Sequence, residues 1–338
     1  VSRVWVYELI KRYKIFGLRG LVPKPKRPHG NSNALSDSLH QEIAALRLEL
    51  LSQGLDGGAG TIRYHLIERY GSAPAISTIW RSLRSQGLVQ YSPQKKPKVY
   101  LQRFEADQPN ETWQSDFTHV RIAKNKDIEV LNFLDDHSRL LLSCKAYFRV
   151  SGQHVVDDFM QAVTEFGPPQ SSLTDSGLVY TTKHRRGPNA YEQLLAHLGI
   201  EQKNSRPNHP QTQGKIERFH QTLKKWLDAR DKAQSIQELQ LQLDEFRTLY
   251  NTQRPHRALH GRTPEVAYRS RAKAQPNKDA IFGSVRTRKD RIDSAGKISL
   301  RRAGRSHHIG VGRIHKGKAV FLIIDSRKVI VTDLKTGE

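Results

Sequence analysis

The sequence predicts a multidomain protein. All-α helix-turn-helix units come first, then a central α/β domain on a mixed five-stranded sheet, then a small β-barrel. Three observations predict this. Apolar residues recur at helical spacing through residues 3–87, strands and helices alternate over residues 112–252, and only short apolar runs follow residue 292. At 338 residues the chain is also too long for one ordinary domain. The expected divisions are residues 1–30 (a partial helix-turn-helix and basic linker), 31–92 (a second helix-turn-helix domain), 93–104 (a basic linker), 105–274 (the α/β domain) and 280–338 (the barrel).

Residues 3–16 read as a helix with Trp5, Leu9, Tyr13 and Phe16 on one face and Gly17 as its stop. The stretch GLVPKPKRPHGNSN holds three prolines, three basic residues and no acid, and reads as an extended basic arm. In the next helix Leu39, Ile43, Leu46 and Leu50 form the apolar stripe, and Ser38 with Gln41 is the expected capping box. A short helix over residues 61–70, a GSAP turn and the helix ISTIWRSLRSQ follow. In the last of these Ile79 and Leu83 face inward, while Ser77, Arg81 and Arg84 share another face, as in a helix that enters the major groove. The alternative is a plain three-helix packing unit with a solvated basic face. Lys95, Lys96 and Lys98 continue the positive charge into the linker.

From residue 110 the pattern changes. ETWQSDFTHV, IEVLNFL and LLLSCKAYF read as antiparallel strands, with DDHSR as the turn between the second and third. GQHVVDDFMQAVTEFG is a helix, SSLTDSG a strand, AYEQLLAHLG a helix and IEQKNS a strand, and two more helices follow. The first of these bears Ile216, Phe219, Leu223 and Leu227 on one stripe, and Ser235 with Glu238 caps the second. Beyond Pro264 the chain is strongly basic, and KISL, HHIGV, AVFLII and KVIVTD suggest the barrel.

With 56 Lys+Arg against 33 Asp+Glu, the formal charge is +23. That excess costs self-repulsion and implies a polyanionic partner, with nucleic acid favoured because the basic residues are spread over several segments. No apolar run exceeds AVFLII, so no membrane span is expected. Cys144 is the only cysteine, which excludes an intrachain disulfide and a CxxC zinc site. With no secretory signal in view, a cytoplasmic, nucleoid-associated location is expected.

Glu217 stands out in HPQTQGKIERFH because positions three and four residues away hold Gln213, Gly214, His220 and Gln221, none able to pair with it as lysine or arginine would. Asp116 lies in WQSDFTHV on the same strand face as Gln114 and Thr118, and Asp175 ends a strand in LTDSG, where α/β sheets expose functional groups. Two like charges at 4 Å cost about 4 kcal/mol at an effective dielectric of 20. Divalent cations remove that cost, and Mg²⁺ prefers a few carboxylates with water and phosphate oxygens. Asp135 and Asp136 rival them, although aspartate before Ser-Arg is an ordinary turn former. Asp157 and Asp158 are expected to be solvated on a helix.

The order WQSDFTHV, LTDSG, NSRPNHPQTQGKIERFHQTLKKW and YNTQRPHRALHGRTPEVAY resembles the catalytic core of bacterial insertion-sequence transposases of the retroviral-integrase type, over residues 105–270. These are DDE recombinases with a ribonuclease H-like fold. The resemblance implies that Asp116, Asp175 and Glu217 are catalytic and bind two Mg²⁺ (or Mn²⁺) ions. It implies nicking at transposon ends and attack of the freed 3′-hydroxyl on target DNA, without a covalent protein intermediate. It also implies a homodimer or larger assembly on DNA. Two departures stand out: forty-one residues separate Asp175 from Glu217, more than is usual, with the surplus in TTKHRRGPNA, and Ser176 stands where the family commonly has Asn.

On the helix of Glu217, His220 and Lys224 share its face and are expected near the scissile group and a phosphate; an ordinary solvated lysine is the plainer account of Lys224. Asn208, His209 and Gln213 would shape a loop at the site, His307 and His308 belong to the barrel, and Trp226 either packs or stacks on a base. The resulting expectation is a DNA transposase. A catalytically inactive transposase-derived DNA-binding protein and a metal nuclease without strand joining are the alternatives.

Overall fold

The computed structural model describes residues 2–23, 34–89, 105–182, 188–204, 214–276, 286–302, 305–324 and 328–334. Two compact units are present, residues 1–42 and 43–338. In the first, α1 (Arg3–Phe16) starts at Ser2, whose hydroxyl accepts from the Trp5 N–H, and ends at Gly17 with φ 60°. The Arg12 guanidinium donates to the Val22 carbonyl at 2.7 Å and folds the following turn back on the helix. Trp5, Tyr13 and Phe16, the stripe expected to pack, are exposed. α2 (Asp37–Ser52) begins with the Leu39 N–H donating to Ser36 Oγ at 3.3 Å. The cap is therefore Ser36, two residues before the expected Ser38, because the helical turn starts earlier than the apolar stripe.

In the second unit, the rest of α2 packs with α3 (Ala59–Tyr70) and α4 (Ile76–Ser85) around Ile43, Leu46, Leu50, Ile62, Leu66, Ile79 and Leu83, all buried. The loop after α2 reaches the α/β domain. Gly54 has φ 73°, and a Cβ there would stand 2.6 Å from the Lys225 carbonyl oxygen, so only glycine allows this approach. Lys225 Nζ donates to the Leu55 carbonyl at 2.7 Å, and Arg254 pairs with Asp56.

The α/β domain follows in order: β1 (Thr112–Arg121), β2 (Asp127–Asp135), β3 (Leu141–Tyr147), α5 (Gly152–Phe166), β4 (Ser171–Thr174), α6 (Ala190–His197), β5 (Glu201–Asn204), α7 (Gly214–Asp228), α8 (Ile236–Thr252) and α9 (Pro264–Arg269). The five-stranded sheet has the order β3-β2-β1-β4-β5. β1, β2 and β3 are antiparallel, and β4 joins β1 and β5 in parallel. Trp113, Leu131 and Phe133 pack one face against Val155, Phe159 and Tyr191 of α5 and α6. Val130 and Leu134 pack the other against Ile216, Phe219, Leu223 and Phe246 of α7 and α8. The alternation along β2 therefore feeds both layers.

The edge strand β3 is covered by α8 side chains. Asn251 both accepts from the Leu141 N–H at 2.9 Å and donates to its carbonyl at 3.0 Å. Gln240 treats the Ala146 N–H and Cys144 carbonyl in the same way. An open sheet edge is thus closed to other strands.

The expected barrel is instead two sheets. β6 (Arg286–Arg291), β9 (Ala319–Ile324) and β10 (Val329–Asp333) form one in the order β10-β9-β6, and β7 (Lys297–Arg302) with β8 (Arg305–Gly310) forms a hairpin. Among the described residues no ladder joins them. β9 explains the arrangement, since it is buried on both faces: Phe321 and Ile323 join the core of the α/β domain, while Val320 and Leu322 pack with Ile298 and Leu300. Its partner β6, RTRKDR, carries no apolar alternation and was not expected as a strand. Among the described residues no helix is long and apolar enough to cross a membrane.

Asp158 corrects a further expectation. It is buried at 4% exposure, and the Tyr147 hydroxyl donates to its Oδ1 at 2.7 Å. Burial raises its pKa to about 6, against a smaller opposing effect of the Tyr147 hydrogen bond. A raised carboxyl favours the neutral form, so native stability is full below the unfolded pKa and declines as pH rises through about 6. The Asp158→Asn protein, which keeps an acceptor for Tyr147, should melt higher than wild type at pH 8 and no higher at pH 4 in calorimetry.

Candidate active site

β1 and β4 bring two of the acids together. Their parallel register ends at Ser115 opposite Thr174, so the next residues are Asp116 on β1 and Asp175 just past the end of β4. α7 supplies Glu217 from its first turn, held to the sheet by Ile216, Phe219 and Leu223. Lys215 fixes that turn by donating to Asp136 Oδ2. Asp116 shows the convergence: its pKa is raised to about 6, chiefly by burial, with Asp175 and Glu217 both adding to the rise against the Phe117 N–H that donates to it. Glu217 itself is exposed. Among the described residues no three His, Cys, Asp or Glu side chains are gathered to metal-ligand spacing. Three carboxylates within electrostatic reach repel, which opposes closure into a tight cage.

Asp175 is held by its own turn. Its Oδ1 accepts from the Gly177 N–H at 3.0 Å, and a Cβ on Gly177 would meet the two carboxylate oxygens at 3.0 and 3.2 Å. Tyr180, fully buried, closes the turn through its backbone N–H to the Gly177 carbonyl at 2.9 Å, and its hydroxyl stands 3.0 Å from Ser115 Oγ. Sequence reasoning missed Tyr180. The signal was an aromatic residue placed five positions after Asp175 in a stretch otherwise read as loop.

Asp135 and Asp136 are occupied structurally. Asp135, fully buried, accepts from the Asn110 N–H and from both the N–H and hydroxyl of Ser138. Asp136 accepts from the Ala106 N–H, Gln114 and Lys215. This matches the turn-former reading, with the addition that Asp136 anchors α7.

His220 is not on the surface. It is 9% exposed, its Nε2 lies 3.1 Å from Asn132 Nδ2, and its Nδ1 lies 3.9 Å from Asp116 Oδ2. Burial lowers its pKa to about 4, with a further contribution from the Lys224 charge, so the ring is neutral near pH 7. Its position offers a contact to Asp116. Lys224 is exposed on the same side of α7. Trp226 packs: it is fully buried, with the Arg230 guanidinium 3.2 Å from its ring centroid, which leaves no face for a base.

On α4, Ser77, Arg81 and Arg84 are exposed, as expected. Arg81 lies back along the helix toward the Ser77 carbonyl at 3.3 Å, and Arg84 lies over the Trp80 ring at 5.3 Å. Among the described residues neither arginine is in an ion pair. Lys95, Lys96 and Lys98, the loop residues Asn208, His209 and Gln213, and the centre of TTKHRRGPNA lie outside the described residues.

Two family models, both described as integrase core domain, match residues 106–210 and 198–264. The chain is 28% identical over 176 residues to the transposase for insertion sequence element IS904 of Lactococcus lactis, covering 50% of this chain and 66% of that protein, just under two thirds of its length. It is 25% identical over 252 residues to an uncharacterised 31.7 kDa protein of insertion element IS407 of Burkholderia multivorans, covering 72% of this chain and 86% of the relative. Among solved structures, the catalytic core domain of HTLV-2 integrase in complex with magnesium aligns with 48% of this chain and 99% of its own, at 18% identity and a TM-score of 0.38, a likeness too low to carry weight. Residues 106–264 match integrase core domain models, and the relatives to which the chain is similar include an insertion-sequence transposase.

Proposed function

We propose that the chain is a DNA transposase that binds the terminal repeats of a mobile element, nicks their 3′ ends and transfers them into target DNA. The observation that carries this is the parallel β1–β4 register, which sets Asp116 beside Asp175 at the end of the ladder, with Glu217 on α7 near enough to act on Asp116. The donor set suits Mg²⁺ or Mn²⁺, which prefer a few hard carboxylate oxygens together with water and phosphate oxygens. Asp116, Asp175 and Glu217 would hold two such ions, which when bound supply Lewis acidity to a phosphodiester. The protein's own part is positional. Lys215 on Asp136 sets the first turn of α7, Gly177 and Tyr180 set Asp175, and exposed Lys224 offers a charge to a phosphate. Ser77, Arg81 and Arg84 of α4, with Lys95, Lys96 and Lys98, would grip the element's ends, and the basic C-terminal sheets would hold DNA without sequence preference. Joining paired ends calls for a dimer or larger assembly on DNA.

The test is an assay with terminal-repeat DNA and a target plasmid in Mg²⁺. Wild type should give joined products, and Glu217→Gln should reduce them by more than about 100-fold, beyond the 10–100-fold typical of residues that merely support a ligand. Cleavage without joining would indicate a nuclease, and binding with no chemistry an inactive DNA-binding derivative. Asp175→Asn should leave DNA affinity within a few-fold of wild type by fluorescence anisotropy. Gly177→Ala should lower joining by roughly 10–100-fold while hardly changing the melting temperature, because its Cβ displaces only the Asp175 carboxylate. Joining should decline as pH falls through about 6, where Asp116 takes up a proton, and the midpoint should move lower as Mg²⁺ is raised, since metal competes with that proton.

A further inference from the structure

Asn132 is a buried amide in the middle of β2, directly opposite Asp116 in the β1–β2 register and on the sheet face covered by α7. Its Nδ2 donates to the Val130 carbonyl at 3.0 Å and faces His220 Nε2 at 3.1 Å. A carbonyl only accepts, so Val130 settles which end of the amide is the NH₂ group. An NH₂ group only donates, so His220 Nε2 must present its lone pair, and the ring proton must sit on Nδ1. Nδ1 is the nitrogen that faces Asp116 Oδ2 at 3.9 Å. The amide orientation also leaves Asn132 Oδ1 buried with no hydrogen-bond partner among the described residues. An orphaned buried acceptor is destabilising, a cost that an apolar residue at this position would avoid.

We propose that His220 is a positioning residue for Asp116: Asn132 fixes its tautomer, and the Nδ1–H so directed orients the Asp116 carboxylate for a divalent cation. This rests on the reading of Asp116 as a metal ligand. The neutral ring required is consistent with the depressed pKa that burial gives His220. Neither residue touches DNA or the reacting atoms in this role; both act through Asp116. Metal sites elsewhere show the same logic, in which the group behind a ligand sets its direction.

The experiment measures Mn²⁺ binding to the full-length protein without DNA, by calorimetry and by Mn²⁺ electron paramagnetic resonance, with melting temperature as the control for folding. His220→Phe should weaken Mn²⁺ binding roughly 10-fold or more. Asn132→Leu should weaken it similarly, because a free tautomer no longer points a proton at Asp116. The double variant should be no worse than His220→Phe alone. His220→Gln, whose amide can accept from Asn132 and donate toward Asp116, should recover most of the loss. Folded His220→Phe or Asn132→Leu with wild-type Mn²⁺ affinity would overturn the proposal; if His220→Phe does not fold, Asn132→Leu and His220→Gln decide it. Asp116→Asn separates the two levels. If it abolishes Mn²⁺ binding while His220→Phe does not, only the positioning role fails; if it too leaves binding intact, the metal-site reading fails.

Discussion

Mutual repulsion among Asp116, Asp175 and Glu217 is the constraint around which the rest of the core is arranged. Side chains that repel must be held by backbone that cannot yield. Two of the three follow the last rung of the parallel β1–β4 ladder, Asp116 on β1 and Asp175 just past β4, so the ladder sets their spacing. The third rides on a helix whose stripe is buried against the same sheet and whose first turn is tied by Lys215 to Asp136. Asp136 in turn belongs to a turn organised by Asp135, which accepts from Asn110 and Ser138. A chain of buried hydrogen bonds thus ends at the acids.

The segment YNTQRPH, which matched a family pattern without an obvious task, serves this scaffold. Asn251 covers the edge of β3, and Tyr250 fills the core beside Phe219 and Phe246. Arg254 lies between His256 and Asp56 and so ties α8 to the loop that enters beside Gly54. The helical layer carrying α4 and the helix carrying Glu217 are joined by these contacts.

The site was legible where a residue lacked a plain local partner. Glu217 was conspicuous for that reason, and Asp116 and Asp175 for their strand positions. Asp135 and Asp136 were legible as turn formers from the Ser-Arg that follows. His220 was expected near the scissile group from the helix face it shares with Glu217, but its depth was not legible, because a shared face says nothing of how deeply each residue sits: His220 is at the sheet, 9% exposed. Asp158 was read as solvated because aspartate usually is, and the Tyr147 hydroxyl that donates to its Oδ1 comes from a neighbouring strand. The small barrel was expected because short strands with basic turns look alike whether they close or stack. A fully apolar run such as AVFLII does indicate a strand covered on both sides, although not by which partners.

That doubly covered strand also affects how the molecule comes together. Phe321 and Ile323 complete an apolar layer whose other members begin at Trp113, some two hundred positions earlier. Contacts of such sequence separation form late, after the entropy of closing a very long loop has been overcome. On the ribosome, the layer behind the sheet therefore stays unsealed until β9 has emerged, and a nascent chain lacking it presents a greasy surface to chaperones.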